Sequence, residues 1–324
     1  MKAVIYQEYG PPEVLKLNDV EKPAPKENEV LIKVHAAALN PLDWHLMRAD
    51  PWFVRLSEGF LKPKDPRIGA DMAGVVEAVG SEVNEFKQGD AVFGCSKGTF
   101  AQYTCFPEDL VALKPENVSF EGAASVPIVA YTALQGLRDF GEIRPGQKVL
   151  INGASGGVGT TAVQIAKSFD CEVTGVCSYR NLKLVQSIGA DHVIDYTKED
   201  FTRTGETYDL IFDTVGNRTA ADFKRALKPG GVCSVAGFTT LLNLFNIIVA
   251  GVWISKTGDK KIGTMRSAQP NKKDLNIIKE YLENGKLKPV IDRRYTLEET
   301  AEAIAYLEEG HARGKVIINV LQSS

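Results

Sequence analysis

A run of small residues at 152–159 has the composition of a phosphate-binding loop. It follows an apolar, strand-like segment at 149–151 and leads into a helix-like segment. Its spacing is GxGxxG with alanine in the first position, over Ala154, Ser155, Gly156, Gly157, Val158 and Gly159. Small residues there permit a tight turn, a close approach of the backbone to a pyrophosphate, and a helix N-terminus that faces the anion. Because strand, loop and helix follow in this order, we predict a dinucleotide site. The alternative is a glycine turn without a ligand.

The end of the next strand-like segment, at 172–176, bears on which dinucleotide binds. An NAD site usually has Asp or Glu there, about 20 residues past the loop, to hold the ribose 2′-hydroxyl. This chain has Ser178 and Arg180 instead, and Lys183 follows one helical turn later. A guanidinium suits a 2′-phosphate in geometry and charge. We therefore predict NADP(H) as the cofactor. The alternative is that Arg180 is a solvated residue at the start of the next helix.

The order of elements predicts two domains. The head of the chain contains short strand-like segments separated by Pro, Gly and Asp turns, whereas strands alternate with helices from about residue 147. Six such strands with intervening helices are typical of a doubly wound parallel sheet, and the tail returns to short mixed elements. The predicted fold class is therefore α/β, with a β-rich catalytic domain over 1–123 and 269–324 and a dinucleotide-binding domain over 124–268.

Doubly wound sheets bind ligands at the carboxyl ends of their strands. In this chain Val215 and Gly216 follow the fourth predicted strand, and Gly237 and Phe238 follow the fifth. We predict these four residues as further cofactor contacts, although ordinary turn chemistry explains Gly237 equally well.

Composition excludes some classes of function. The 324 residues include 38 Lys and Arg against 41 Asp and Glu, a net charge of -3, so there is no basic excess to neutralise nucleic-acid phosphates. The five cysteines are scattered and form no CxxC pair, which favours reduced thiols. The N-terminus has neither an apolar signal core nor an Arg-rich transit pattern. We therefore expect a cytoplasmic protein that does not bind nucleic acid.

An uncharged apolar run covers residues 241–254. It contains two asparagines and a glycine and is shorter than the roughly 18 apolar residues that indicate a membrane span. A buried or dimer-facing helix is our first interpretation, and a membrane-surface or lid helix is the second. A transmembrane span is not expected.

Several stretches together resemble one family. They are ALNPLDW at 38–44, GADMAGVV at 69–76, AYTAL at 130–134, the glycine loop, and GKVI at 314–317. In this order they resemble the medium-chain dehydrogenase/reductase superfamily and, within it, the zinc-free NADPH quinone oxidoreductase branch. Residues 286–292 and 310–315 are similar to chloroplast-envelope quinone oxidoreductase homologues, whose location we do not transfer. The resemblance implies a GroES-like catalytic domain and a Rossmann domain with strand order 3-2-1-4-5-6.

The resemblance also implies roles for particular residues. Asn40 and Thr132 are expected close to the nicotinamide, with Asp43 and His45 lining the cleft, and Tyr196 at the adenosine end. We predict Asn40 and Asp43 as the catalytic residues, with Asn40 as a hydrogen-bond donor to the acceptor carbonyl. Asp43 is equally well explained as a structural residue that orders its own turn.

The chain departs from the zinc-dependent relatives at the ligand positions. Those proteins have a cysteine shortly before the aspartate that matches Asp43, a histidine where this chain has Ala70, and a third cysteine before the Rossmann strand. Residues 40–42 are Asn-Pro-Leu, residues 125–129 contain no cysteine, and the four-cysteine structural loop is also missing. Zinc requires three or four nitrogen or sulfur ligands, so we expect no metal.

Without a Lewis acid to stabilise an alkoxide, oxidation of simple alcohols is disfavoured. The sequence therefore predicts a zinc-independent oxidoreductase that transfers hydride from NADPH to a quinone or another α,β-unsaturated carbonyl, because such acceptors delocalise the arriving charge. One alternative is an alkenal or enone double-bond reductase, and another is a non-catalytic NADPH-binding sensor. A zinc alcohol dehydrogenase ranks third. The family implies a homodimer, for which the apolar run at 241–254 is a candidate surface.

Overall fold

The computed structural model describes residues 1–265 and 267–321. The chain forms two compact units. The first consists of residues 1–128, 270–285 and 289–324, and the second of 129–269 and 286–288. The bounds expected from the sequence, 1–123, 124–268 and 269–324, lie a few residues from these divisions, and the sequence places the short segment 286–288 in the catalytic domain.

Strands and helices occur along the whole length of the chain. The strands are β1 (Lys2–Ile5), β2 (Lys16–Asp19), β3 (Glu29–Ala38), β4 (Asp71–Val79), β5 (Ala91–Cys95), β6 (Tyr103–Pro107), β7 (Val111–Leu113), β8 (Lys148–Asn152), β9 (Glu172–Cys177), β10 (His192–Asp195), β11 (Tyr208–Asp213), β12 (Leu227–Val235), β13 (Lys261–Thr264), β14 (Ile291–Thr296) and β15 (Lys315–Asn319). The helices are α1 (Pro41–Arg48), α2 (Val54–Glu58), α3 (Phe120–Ala124), α4 (Pro127–Gln135), α5 (Gly157–Ser168), α6 (Leu182–Ser187), α7 (Ala220–Ala226), α8 (Leu241–Thr257), α9 (Lys272–Glu283) and α10 (Thr300–Glu308).

The second unit is built on a six-stranded sheet in the order β10-β9-β8-β11-β12-β13. Every pairing in it is parallel. Strands of such a sheet are covered on both faces, which explains why β8 is continuously apolar and why Val149, Leu150 and Ile151 are fully buried. The predicted doubly wound sheet is confirmed, and its strand order is the one that the family resemblance implies.

The first unit is β-rich, as predicted. Its larger sheet has the order β14-β15-β3-β4-β5-β7, with β6 also paired to β3, and a separate hairpin-like pair joins β1 and β2. The long strand β3 pairs with β4, β6 and β15 antiparallel. Because β15 comes from the end of the chain, the tail completes the sheet that the head begins. The apolar side chains of β3 and β4 lie in one core with residues of β15 and α10.

The apolar run at 241–254 forms most of α8. Ile247, Gly251 and Ile254 are buried, but the remaining large apolar side chains are mostly exposed. Within the described chain only one side of the helix packs on the sheet, so for the outward face the interpretation of a buried or dimer-facing helix stays a prediction of a dimer contact. Among residues 1–265 and 267–321, no helix is long and apolar enough to cross a membrane.

Candidate active site

The glycine loop of the second unit connects β8 to α5. A Cβ atom on Gly159 would lie 2.0 Å from the carbonyl oxygen of Gly153 and 2.8 Å from the Ala154 Cα atom. The first turn of α5 therefore packs against the loop backbone at a distance that only glycine allows. Gly153 itself has a φ of +83°, a conformation that favours glycine.

The loop presents an anion-binding helix end. Gly156 caps α5, and no acidic residue lies in the first turn. A Cβ atom on Gly156 would approach nothing nearer than 3.6 Å, the Gly153 oxygen, so the space beside this residue is not filled by protein. The first N–H groups of an α-helix have no partner within the helix and carry partial positive charge. Together with Ser155, Gly157 and Val158, this end of α5 fits a dinucleotide pyrophosphate.

The end of β9 is joined to this loop through Asn181. Its Nδ2 atom donates to the Ser155 hydroxyl at 3.0 Å and to the Ser178 hydroxyl at 3.3 Å. Arg180 and Lys183 are both exposed, the first in a 3₁₀ turn over Tyr179–Asn181 and the second in α6. The helix expected from Arg180 therefore begins as a 3₁₀ turn. Arg180 and Lys183 both lie within two residues of Asn181, which contacts the glycine loop through Ser155.

The neighbouring strand β10 ends on an acid that serves its own turn. Asp195 Oδ1 accepts from the Thr197 N–H at 3.1 Å and from its hydroxyl at 2.8 Å. Tyr196 is exposed at this end of the sheet. Lys198 follows, and its ammonium lies 5.1 Å from the centre of the Tyr179 ring. Lys198 thus adds a cation near the end of β9 that sequence reasoning did not identify.

A buried carboxylate orders the loop after β11. The oxygens of Asp213 accept from the Val215 N–H at 3.1 Å, from the Gly216 N–H at 3.0 Å and from Asn152 Nδ2 at 2.7 Å. Burial raises the pKa of Asp213, although these donors act in the opposite direction. Asp213 therefore fixes the two residues that the sequence predicts as cofactor contacts at this strand end.

The loops after β11 and β12 meet backbone to backbone. A Cβ atom on Gly216, whose φ is +70°, would lie 2.2 Å from the Gly237 oxygen and 2.3 Å from the Phe238 Cα atom. The close approach of the two loops thus requires glycine at position 216, in addition to the positive φ of its turn. Phe238 is exposed, and Thr132 lies half-buried in α4 of the same unit.

In the first unit, Asn40 and Asp43 lie at the start of α1. Asn40 is the N-cap, and its backbone N–H donates to Asp43 Oδ2 at 2.7 Å. Both side chains are buried. This bond supports the structural interpretation of Asp43, since its carboxyl satisfies the N-terminus of the helix. His45, in the same helix, has its Nδ1 atom 2.6 Å from the Asp50 carbonyl oxygen.

The Asn40 side chain also joins a buried polar cluster. Its Nδ2 atom donates to Asp71 Oδ2 at 3.0 Å, and its Oδ1 atom accepts from Lys315 Nζ at 2.7 Å. Lys315 Nζ also lies 3.2 Å from Asp71 Oδ2, and the Ile128 N–H donates to Asp71 Oδ1 at 2.9 Å. Every member of the cluster therefore has a hydrogen-bond partner, as buried polar groups require.

Burial dominates the ionisation of the two acids. It raises the pKa of Asp43 from 3.8 to about 7, against the lowering effect of the Asn40 N–H and the Lys315 ammonium. Burial also raises the pKa of Asp71, although Lys315, Asn40 and Ile128 favour its charged form. Lys315 thus supplies a positive charge beside two carboxyl groups, and burial disfavours the ionised form of both.

The positions of zinc ligands do not fit a metal. Residues 40–42, where the resemblance implies a cysteine ligand in the zinc-dependent relatives, are Asn-Pro-Leu, and the Asn40 amide oxygen accepts from Lys315. Ala70, at the histidine position, has no ligating atom. Within the described residues, no group of three His, Cys, Asp or Glu side chains could hold a metal ion. Cys95, which pairs with Asp71 across β4 and β5, is buried, and burial raises its pKa well above the ordinary thiol value.

Sequence reasoning missed several of these residues. They are Asp71, Lys315, Asp213, Asn181 and Lys198. For Asp213 a signal existed, because an acid at the carboxyl end of an apolar parallel strand lies at the ligand edge of the sheet. Asp71 and Lys315 lay within motifs used for the family resemblance. Their contact, however, depends on a strand pairing between distant parts of the chain. Whether the predicted site residues have the predicted roles stays a prediction.

The two units define a class. A β-rich unit with a buried polar cluster accompanies a doubly wound unit with a glycine loop, which is the organisation of two-domain dinucleotide-dependent dehydrogenases and reductases. Residues 26–116 match the alcohol dehydrogenase GroES-like domain, and residues 188–318 match a zinc-binding dehydrogenase domain.

Comparison with individual proteins narrows this class. The chain is 36% identical to an NADPH-dependent alkenal/one oxidoreductase of Arabidopsis thaliana, over 98% of this chain and 79% of that one. It is 34% identical to a quinone-oxidoreductase homologue of Spinacia oleracea, over 98% of both. The structure of the quinone oxidoreductase from Coxiella burnetii is similar, with a TM-score of 0.87, 32% identity and 99% coverage of both chains. The chain belongs to the medium-chain dehydrogenase/reductase family of oxidoreductases.

Proposed function

We propose that this protein transfers hydride from NADPH to a quinone or another α,β-unsaturated carbonyl. The observation that carries the proposal is the end of β9, where Ser178 and exposed Arg180 stand in place of the acid that an NAD site uses. The names of the Arabidopsis, spinach and Coxiella relatives support both the cofactor and the acceptor class.

Cofactor binding rests on two features of the second unit. The N-terminus of α5 faces open space beside Gly156 and fits the pyrophosphate. Arg180 and Lys183 are the side chains that we assign to the 2′-phosphate, and Lys198 adds positive charge on the neighbouring strand end. A guanidinium binds phosphate with two parallel hydrogen bonds, so Arg180 carries most of the preference over NADH.

The chemistry that we assign to the first unit is modest. NADPH supplies the hydride when bound. The conjugated acceptor delocalises the arriving charge, so the protein needs mainly to orient the acceptor, exclude water and donate one hydrogen bond. Asn40 Nδ2 has one strong internal bond, to Asp71, and a long one of 3.4 Å to the Ala38 carbonyl oxygen. We assign the N–H with the long bond as the donor to the acceptor carbonyl.

Zinc independence is part of the proposal. Residues 40–42 lack the cysteine and Ala70 replaces the histidine of the zinc-dependent relatives, and the Lys315 ammonium lies against Asn40. A divalent cation beside this ammonium would be repelled strongly in a buried environment. Metal analysis of the purified protein tests this directly, and about one zinc per chain would contradict it.

The test is consumption of NADPH, followed by its absorbance, with a panel of quinones and enones. Parallel reactions contain NADH in place of NADPH, or a metal chelator. We expect chelator-insensitive turnover with a clear preference for NADPH. The best acceptor would decide between a quinone reductase and an alkenal or enone double-bond reductase. Tight binding of NADPH without turnover on any acceptor would instead favour a non-catalytic sensor.

We also propose that the protein is a homodimer formed through α8. Leu242, Phe245, Val249 and Trp253 follow one another at helical spacing on an exposed face, with exposed fractions of 80%, 65%, 51% and 65%. The helix packs beside β13, the strand at the edge of the six-stranded sheet, so this exposed face lies at the border of the unit. Light scattering after size-exclusion chromatography tests this. The Trp253→Glu variant should be monomeric, and a monomeric unaltered protein would contradict the proposal.

A cytosolic location remains our proposal for this chain. The five cysteines are free, which suits a reducing compartment. Several relatives are named as chloroplastic, so fractionation of the source cells is the appropriate test.

A further inference from the structure

Strand pairing brings Lys315 to Asn40 from the opposite end of the chain. In the pairing of β15 with β3, Ile317 lies opposite Ala38, and the Leu39 N–H donates to the Val316 carbonyl at 2.9 Å. Continuing this antiparallel register by two residues in each strand places Lys315 beside Asn40. The lysine is only 5% exposed.

The contacts of this lysine fix which way the Asn40 amide points. An ammonium has three donors and no acceptor, so the group facing it must be the amide oxygen and not the amide nitrogen. The 2.7 Å distance from Lys315 Nζ to Asn40 Oδ1 satisfies this requirement. The NH₂ group is then directed toward Asp71 Oδ2 and the Ala38 carbonyl, at 3.0 and 3.4 Å. Rotation of the amide by 180° would set two donors against each other.

The cluster has the features of a built site. A buried ammonium without partners is strongly disfavoured, and here it has a carboxylate oxygen at 3.2 Å and an amide oxygen. Asp71 is itself held by the Ile128 N–H. The contacts of the lysine thus extend from the carboxylate to the one amide that the proposed function uses.

We propose that Lys315 is a positioning residue for the hydride-transfer reaction. Its ammonium holds the Asn40 amide in the orientation that leaves one N–H with only a long internal bond, ready to donate to the acceptor carbonyl. This inference rests on the proposed function, because it assigns to Lys315 an effect on the step in which Asn40 takes part. Lys315 does not itself contact the substrate.

A double-mutant cycle tests whether Lys315 acts through Asn40. The variants are Lys315→Met, Asn40→Ala and the combination, each assayed for kcat and KM with the best acceptor. We expect Lys315→Met to lower kcat by about 10- to 100-fold, as misorientation of a reacting group does. In the Asn40→Ala background, the same substitution should change kcat less than about twofold, because the group it orients is already absent. Additive losses, or an unchanged kcat in Lys315→Met, would overturn the proposal.

Further measurements separate positioning from folding. The Kd for NADPH should remain within about twofold in the Lys315 variants, because no contact that we assign to the dinucleotide involves Lys315. Lys315→Arg, which retains the charge, should recover part of the lost kcat. Lys114→Met is the matched control, since Lys114 is a half-buried lysine of the same unit that donates to the Pro115 and Val118 carbonyls. Its kcat should be unchanged.

If Lys315→Met does not fold, the double variant Lys315→Met/Asp71→Asn removes both charges together. It should fold and show the same loss of kcat as expected for the single variant, and full activity would overturn the proposal. Failure of the proposed function is recognised separately. In that case the unaltered protein would not oxidise NADPH with any acceptor, whereas here the unaltered protein turns over and the Lys315 and Asn40 variants lose turnover.

Discussion

Replacement of Asp43 by asparagine should change how the stability of the first unit depends on pH. The Asp43 carboxyl is buried at the start of α1, and burial raises its pKa from 3.8 to about 7. The folded state therefore holds a proton there that the unfolded chain releases between these two pH values. Stability from this group is complete below about pH 4 and is lost as the pH rises through 7.

The magnitude follows from the size of the shift. One pKa unit corresponds to about 1.4 kcal/mol, so a rise of about three units gives a total of about 4 kcal/mol. Between pH 5 and pH 7 the expected loss is about 2 kcal/mol in the free energy of unfolding, because the folded carboxyl is half ionised at the upper limit. An asparagine side chain cannot ionise but retains an oxygen that accepts from the Asn40 N–H. The Asp43→Asn variant should therefore lack this part of the pH dependence. Between pH 5 and pH 7 its free energy of unfolding should fall by about 2 kcal/mol less than that of the unaltered protein.

Urea unfolding at pH 5, 6, 7 and 8 measures the effect. The chain has three tryptophans, and Trp253→Phe in all samples leaves Trp44 and Trp52, which lie in the first unit, as the reporters. Glu8→Gln, which removes an exposed carboxylate of the same unit, is the matched control and should retain the pH dependence of the unaltered protein. Parallel pH profiles for Asp43→Asn and the unaltered protein would refute the reasoning that burial outweighs the capping hydrogen bond.

Three predictions concern the second unit. Arg180→Ala should raise KM for NADPH by about 10- to 100-fold and leave KM for NADH unchanged, because a charged hydrogen bond to the 2′-phosphate is lost. Arg203→Ala, the control at another exposed arginine, should change neither KM. Gly159→Ala should destabilise the protein, since its Cβ would lie 2.0 Å from a carbonyl oxygen. Gly156→Ala should fold normally and bind NADPH more weakly. Scanning calorimetry measures the thermal stability of both variants, and titration calorimetry measures their Kd for NADPH. Asp213→Ala should lower the free energy of unfolding by about 3 kcal/mol in urea, because buried N–H groups lose their acceptor, and a loss below about 0.5 kcal/mol would contradict this.

The second unit was the more predictable part of the fold. Its signals are local: an apolar strand, a glycine loop and an amphipathic helix occur within one run of the chain, and the same alternation continues through β13. Parallel strands joined by helices have few allowed arrangements, so their order follows once the unit is recognised. The loop glycines were predictable for the same reason, since Gly159 is required by a contact within the motif itself.

The exposure of α8 could not be predicted from its composition. A continuous apolar run is compatible with burial on every side, and only the placement of β13 decides which face is covered. The structure buries Ile247, Gly251 and Ile254, and other parts of the described chain do not cover the opposite face. A sequence pattern reports that a helix is apolar; it does not report whether neighbouring elements suffice to cover it.

The cluster around Asn40 was beyond sequence reasoning for a different reason. Asp71 and Lys315 reach Asn40 only through the pairing of β3 with both β4 and β15, which joins segments from the two ends of the chain. Neither residue has a spacing relation to Asn40 that periodicity could detect. Yet this pairing has a chemical consequence, because the Lys315 ammonium lies 2.7 Å from the Asn40 amide oxygen. The strand register therefore places a positive charge against the one amide that the proposed hydride transfer uses, and the orientation of Asn40 depends on this contact with Lys315.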